Sequence, residues 1–140
     1  MSKMMILRGV SGCGKSTKAN ELYCLQRNLD AKICSADQYF VRPDGAYSFN
    51  PKELGLAHAW CQHQARQAVM DRIPLVIIDN TNTQHWEMEP YRQIARDYNY
   101  EVEVIVVGQR DEESLKLYAS RNKHGVPYET IVKMAARWEE

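Results

Sequence analysis

The chain has 140 residues, 44% of them apolar and 26% charged, with 18 basic side chains balanced by 18 acidic ones. This composition fits one compact domain over residues 1–140 and disfavours disorder. Zero net charge excludes a global field that would gather nucleic acid, so a polynucleotide would have to be held by a local groove.

In chain order, Met4 to Leu7 is a short apolar strand. Lys15 to Asn28 follows as a helix, with Ala19, Leu22 and Tyr23 on one stripe. Ala31 to Ser35 is a second strand, and Arg42 to Pro51 is a loop rich in turn formers. Pro51 suits a first helical turn and opens a helix to about Asp71, with Leu54, Ala57, Cys61, Ala65 and Ala68 along its buried side. Pro74 to Asp79 is apolar on both faces, as in a covered parallel sheet. A helix from Trp86 to Tyr98, with Trp86 and Met88 as core or staple residues, precedes a strand from Glu101 to Val107. Helices from Glu112 to Arg121 and Pro127 to Arg137 close the chain. This alternation implies right-handed βαβ units: an α/β fold with a parallel sheet of about four to five strands sandwiched by helices, and a short helical lid near residues 110–127.

No apolar run approaches the ~20 residues that span a bilayer, and the N-terminal stretch is too short for a signal peptide before the first motif begins. A cytoplasmic location without a membrane partner is therefore expected, and nothing signals an obligate protein partner. Cys13, Cys24, Cys34 and Cys61 form neither a CxxC pair nor a zinc spacing, and are expected as reduced thiols, mostly in the core.

Gly9-Val10-Ser11-Gly12-Cys13-Gly14-Lys15-Ser16 fits GxxxxGK(S/T), with a strand before it and a helix after. Such a loop turns backbone N–H groups inward at the positive end of the helix, where they cradle phosphates. Gly9, Ser11, Gly12, Cys13, Gly14, Lys15, Ser16 and Thr17 are thus the expected nucleotide-binding residues. Lys15 would reach the β and γ phosphates, and the Ser16 hydroxyl would bind Mg²⁺. A glycine-rich turn merely linking strand to helix is the plainer alternative.

Ligands of open α/β sheets bind at the carboxyl ends of strands. Asp79 ends the third strand there, as a metal-holding acid or as a cap for Asn80-Thr81-Asn82. Asp37 follows the second strand, as the carboxylate that orients or deprotonates an acceptor hydroxyl or as the cap of a short turn. Arg121-Asn122-Lys123-His124-Gly125 is either a basic lid over the triphosphate, with Arg121 bridging phosphate oxygens, or a solvated helix end. Arg42, Tyr47 and Phe49 lie on a loop that forms an acceptor wall or simply anchors itself to the domain. His58 could face the cleft, though a histidine beside an apolar stripe is more often structural.

The set Gly9–Ser16, Ser35-Ala36-Asp37-Gln38-Tyr39, Ile78-Asp79-Asn80-Thr81-Asn82 and Arg121-Asn122 resembles the polynucleotide-kinase-like branch of P-loop kinases, which includes the kinase domain of phage 5′-polynucleotide kinase. Arg42 to Pro51 also resembles the small P-loop domains of the NEDD-four-binding-protein family. The resemblance spans nearly the whole chain. It implies ATP and Mg²⁺ as cofactors, with Asp37, Lys15 and Arg121 catalytic, Ser16 on the metal, and a nucleic acid 5′ end as substrate; the strand-end and loop positions themselves add Asp79 on the metal and Arg42, Tyr47, Asn80 and Asn82 toward the substrate. The chain departs from that pattern at Gln38 and Phe40, where the phage enzyme carries an acid and a substrate-binding arginine, and at Asn80, where it carries an aspartate. There is no DxDx(T/V) phosphatase motif and no pair of HxT motifs.

Three functions are compatible with these residues. One is an ATP-dependent kinase for the 5′-hydroxyl of DNA or RNA. Another is a small-molecule kinase for a nucleoside, sugar or antibiotic, which zero net charge suits. The third is a nucleotide-binding module without transfer activity, against which Asp37 argues.

Overall fold

The computed structural model describes residues 2–25, 30–122 and 124–140. Its elements are β1 (Lys3–Arg8), α1 (Lys15–Cys24), β2 (Ala31–Cys34), α2 (Leu54–Met70), β3 (Leu75–Asp79), α3 (His85–Asp97), β4 (Glu101–Val106), α4 (Glu112–Arg121) and α5 (Tyr128–Ala136). Two 3₁₀ turns, Ala36–Phe40 and Pro51–Glu53, complete the set. The strands form one parallel sheet in the order β2-β3-β1-β4.

Side chains alternate across the strands and feed two separate cores. Met4, Ile6, Val76 and Ile78 face one side, where α2 and α3 bring Ala57, Cys61, Ala65, Met88, Tyr91 and Ile94. Leu7, Leu75 and Ile77 face the other, against Ala19 of α1. All five residues of β3 are buried, which accounts for its continuous apolar run. The small residues of α2 let it lie close to the sheet. A third cluster, Val10, Cys13, Leu115, Tyr118 and Ile131, sits under α4 and α5.

Three expectations need correction. Pro51 opens a 3₁₀ turn, with Asn50 Oδ1 accepting from the Lys52 amide, and the α-helix begins only at Leu54. Leu54 itself is 43% exposed, because that start turns it away from the sheet. Trp86 is 68% exposed and no core residue; its indole N–H donates to Gln84 Oε1, while Met88 is fully buried. α1 is described to Cys24, and the expected continuation over residues 26–28 lies outside the described residues.

The register sets the site. Leu7 pairs with Asp79 and Cys34 with Ile78, so the loops leaving β1, β2 and β3 emerge side by side. Behind them, buried Arg8 donates to the carbonyls of Asn82, Thr83 and Glu139 and packs on Trp138, which binds the C-terminal segment to the end of β1. Among the described residues, no helix is long and apolar enough to cross a membrane.

Candidate active site

The Gly9–Ser16 loop links β1 to α1, as its sequence requires. Two glycines are fixed by geometry. Gly12 has φ +81, and a Cβ there would stand 2.5 Å from the Tyr118 carbonyl oxygen. Gly14 caps α1 in the left-handed region, at φ 103. α1 has no side-chain cap and no acid in its first turn, so its N-terminal amides and dipole are left for an external anion.

Around this helix end, Lys15 Nζ donates to the Val10 carbonyl at 3.3 Å, and Arg121 Nε reaches across from α4 to the Gly12 carbonyl at 3.0 Å. Arg121, expected on a basic lid, is therefore seated directly on the loop. Asn122 pins the turn behind it, donating to the Ala119 and Val126 carbonyls and accepting from the Val126 amide. Lys123 lies outside the described residues.

Ser16 Oγ donates to Asp79 Oδ2 at 3.1 Å. Burial raises the Asp79 pKa above the usual carboxylate range, opposed by the Lys15 charge and the Ser16 hydrogen bond and reinforced by Asp37. A hydroxyl and a carboxylate are hard oxygen donors suited to Mg²⁺, which usually takes a few protein oxygens and completes its shell with water and phosphate. Ser16 and Asp79 fit that ion.

Asp37 sits in the Ala36–Phe40 turn, with its side chain 55% exposed. Its two oxygens face different partners. Tyr47 Oη donates to Oδ1 at 3.4 Å, and His124 Nε2 of the lid turn stands 3.9 Å from Oδ2. Burial, followed by the Asp37 charge and hydrogen bond, pushes the Tyr47 phenol up to about 12. Ser16, Asp37, Asp79 and His124 all line one cleft of about 340 Å³.

Tyr47 joins this site and Arg42 does not. Arg42 lies on a hairpin closed by the Val41–Tyr47 bridge and by hydrogen bonds from the Arg42 amide to Ala46 and from the Ser48 amide to Phe40. Its guanidinium donates to Ser48 Oγ, and it is not among the residues lining the cleft.

Asn80 and Asn82, expected toward the substrate, are both buried and make hydrogen bonds inside the protein. Asn80 Oδ1 accepts from the Ala36 amide while Nδ2 donates to Tyr91 Oη, which ties the turn carrying Asp37 to the end of β3. Asn82, at φ 46, donates to the Leu7 carbonyl. Polar groups beside a fully buried strand end must find partners, and these asparagines supply them.

Cys13, expected in the nucleotide-binding loop, has its side chain in the core. Its thiol packs in the third core cluster, raised in pKa by burial, and its amide donates to Val10, so it shapes the loop from within. Ser11 Oγ turns toward Met134 Sδ, and Thr17 is exposed in the first turn of α1.

The cleft also contains four residues given no role in the sequence, Asn20, Lys32, Trp60 and Gln64, together with Gln38, which the sequence marked only as a departure from the kinase pattern. Helical spacing could have found three of them. Asn20 lies four residues after Ser16 on α1, and Trp60 and Gln64 share a face of α2. His58 is not among the lining residues.

Among known proteins, human NEDD4-binding protein 2 is 38% identical over 136 residues, which are 97% of this chain and 8% of that protein. The chain thus spans less than a tenth of that relative. A chain of the Pnkp1/Rnl/Hen1 RNA repair complex superposes with a TM-score of 0.70 at 17% identity, over 97% of this chain and 43% of that one. Kti12 of Chaetomium thermophilum, in complex with ADP-AlF3, superposes with a TM-score of 0.69 at 18% identity, over 98% of this chain and 80% of that one. At these identities the two structures establish the fold. The family described as AAA domain (AAA_33) matches residues 4–140. With that match and this parallel sheet behind a phosphate-binding loop, the chain belongs to the AAA domain family and has the P-loop kinase-like fold.

Proposed function

We propose that the protein is an ATP-dependent kinase that phosphorylates the 5′-hydroxyl end of a nucleic acid. The observation that carries this reading is the position of Asp37. An accessible carboxylate shares a cleft with the Ser16–Asp79 pair at the uncapped end of α1, where a kinase needs a group to accept the proton of the acceptor hydroxyl. A motor or GTPase would position a water instead.

In this mechanism the first-turn amides of α1 and Lys15 hold the triphosphate. The acceptor oxygen forms a bond to the γ-phosphorus, the bond to the β-phosphate oxygen breaks, ADP leaves, and the hydroxyl proton passes to Asp37. Arg121 Nε is held on the Gly12 carbonyl of the loop, from which its guanidinium would stabilise charge developing on the transferring group. Ser16 and Asp79 would hold Mg²⁺, which supplies charge neutralisation at the β and γ phosphates. Asn80 keeps the Asp37 turn at its distance from β3.

The nucleic-acid acceptor is supported by the likeness to the RNA repair complex and by the sequence resemblance to polynucleotide kinases. Zero net charge favours a second reading, a small-molecule acceptor. Incubation with γ-labelled ATP, 5′-hydroxyl RNA and DNA oligonucleotides, nucleosides and sugars separates the two. Label transferred to oligonucleotides, with affinity that falls steeply with salt, is the expected result. Transfer confined to nucleosides or sugars rejects the polynucleotide acceptor.

A further inference from the structure

Beyond Asp37 the cleft has walls that phosphoryl transfer itself does not use. Trp60 and Gln64 line it from one face of α2, and Gln38, Asn20 and Lys32 line it from the opposite elements. The half-buried indole is held in advance. Tyr39 meets it edge-on at 6.1 Å and 61°, and Phe40 meets Tyr39 at 5.3 Å and 87°. A ring fixed before binding stacks a second planar ring with little further ordering. Three carboxamides, Asn20, Gln38 and Gln64, each offer both a donor and an acceptor, as the edge of a nucleobase does. A ligand recognised through phosphate would need clustered cations, whereas Lys32 and His124 are the cleft's cationic or potentially cationic side chains outside the transfer end.

We propose that this region is a subsite for the base of the nucleotide whose hydroxyl is phosphorylated. The base lies against Trp60 with Gln38 and Gln64 at its edge, and the sugar hydroxyl reaches Asp37. The inference rests on the kinase reading above. It adds that the acceptor is recognised by its terminal base as well as by its backbone.

The test uses 5′-hydroxyl oligonucleotides whose first residue is either normal or abasic, with the wild-type protein, Trp60→Leu and Gln64→Ala. Binding of a fluorescent ATP analogue reports that each variant is folded, and Gln64→Ala carries the test should Trp60→Leu fail to fold. Removing the base and replacing Trp60 are each expected to raise KM about tenfold. On the abasic acceptor the penalty of either variant shrinks to below about twofold, because both changes remove one contact. Equal kcat/KM for normal and abasic acceptors, or penalties that simply multiply, overturns the subsite and leaves the kinase reading standing. Transfer to no base-bearing acceptor overturns both.

Discussion

Tyr47 and His124 pack ring against ring, with centroids 4.0 Å apart and planes 31° apart, and each presents a polar atom to a different oxygen of Asp37. The Val41–Tyr47 hairpin and the turn after α4 thus meet over the carboxylate that the proposed mechanism uses. Each carboxylate oxygen can accept more than one hydrogen bond, and the Asp37 side chain is 55% exposed, so lone pairs remain open to an incoming hydroxyl beside both rings.

Asp37→Asn keeps the shape of the turn and removes the proton acceptor. Phosphate transfer should fall by about 10²–10⁴-fold, while affinity for an ATP analogue, measured by titration, stays at the wild-type value. Full transfer activity in this variant would remove Asp37 from the mechanism.

Tyr47→Phe deletes the hydrogen bond to Asp37 and retains the ring that His124 packs on. The expected loss of kcat is about 2–10-fold, matching one modest hydrogen bond of ~0.5–1.5 kcal/mol. Because the phenol is pushed up to about 12, it remains a donor across the working range. The ratio of variant to wild-type rates should therefore be flat between about pH 6 and pH 9. A ratio that changes across that window would show that the phenol titrates there.

Asp79→Asn should separate stability from activity. Burial lifts the folded-state pKa of Asp79 above its unfolded value, so the folded protein binds the proton more tightly. The Asp79 contribution is thus most favourable below the unfolded pKa, and it declines as pH rises from there through the folded pKa. Above both pKa values this shift is a standing cost to the folded state, and the amide removes it. Calorimetry at pH 7 should show a Tm higher by a few degrees, together with loss of Mg²⁺-dependent transfer. A lower Tm would mean that the Ser16 and Lys15 interactions outweigh burial.

Asn80→Ala leaves the Ala36 amide without its partner beneath the Asp37 turn. A buried donor left unsatisfied costs about 1–3 kcal/mol, which a shifted urea midpoint with an unchanged slope would register. Transfer should fall as well, with nucleotide affinity preserved. An unchanged midpoint would show that the turn holds itself.

The sheet and the phosphate loop were legible because their signals are local: an apolar run for β3, a fixed glycine spacing for the loop, and residues such as Ala57, Cys61 and Ala65 at helical period. The acceptor side was less legible, because its contacts join distant segments. Arg42 and Tyr47 are close in sequence, yet only the hairpin bridge decides that Tyr47 reaches Asp37 while Arg42 turns to Ser48. Asn80 and Asn82 look like ligands in a polar turn. Their burial follows from β1 and β2 closing in on both sides, which no short window of sequence contains. Trp60 is likewise set by a distant segment, the turn after β2, which places Tyr39 against it.

The Val41–Tyr47 hairpin is closed by its own backbone bonds, and its tip, Asp44 and Gly45, is exposed. The tip is itself fixed by turn chemistry: Asp44 Oδ1 accepts from the Ala46 amide, and Gly45 stands at φ 89, where a side chain would be strained. The spacing between Tyr47 and Asp37 is thus dictated by a short self-closed turn, and an insertion or deletion in it would be felt at the carboxylate.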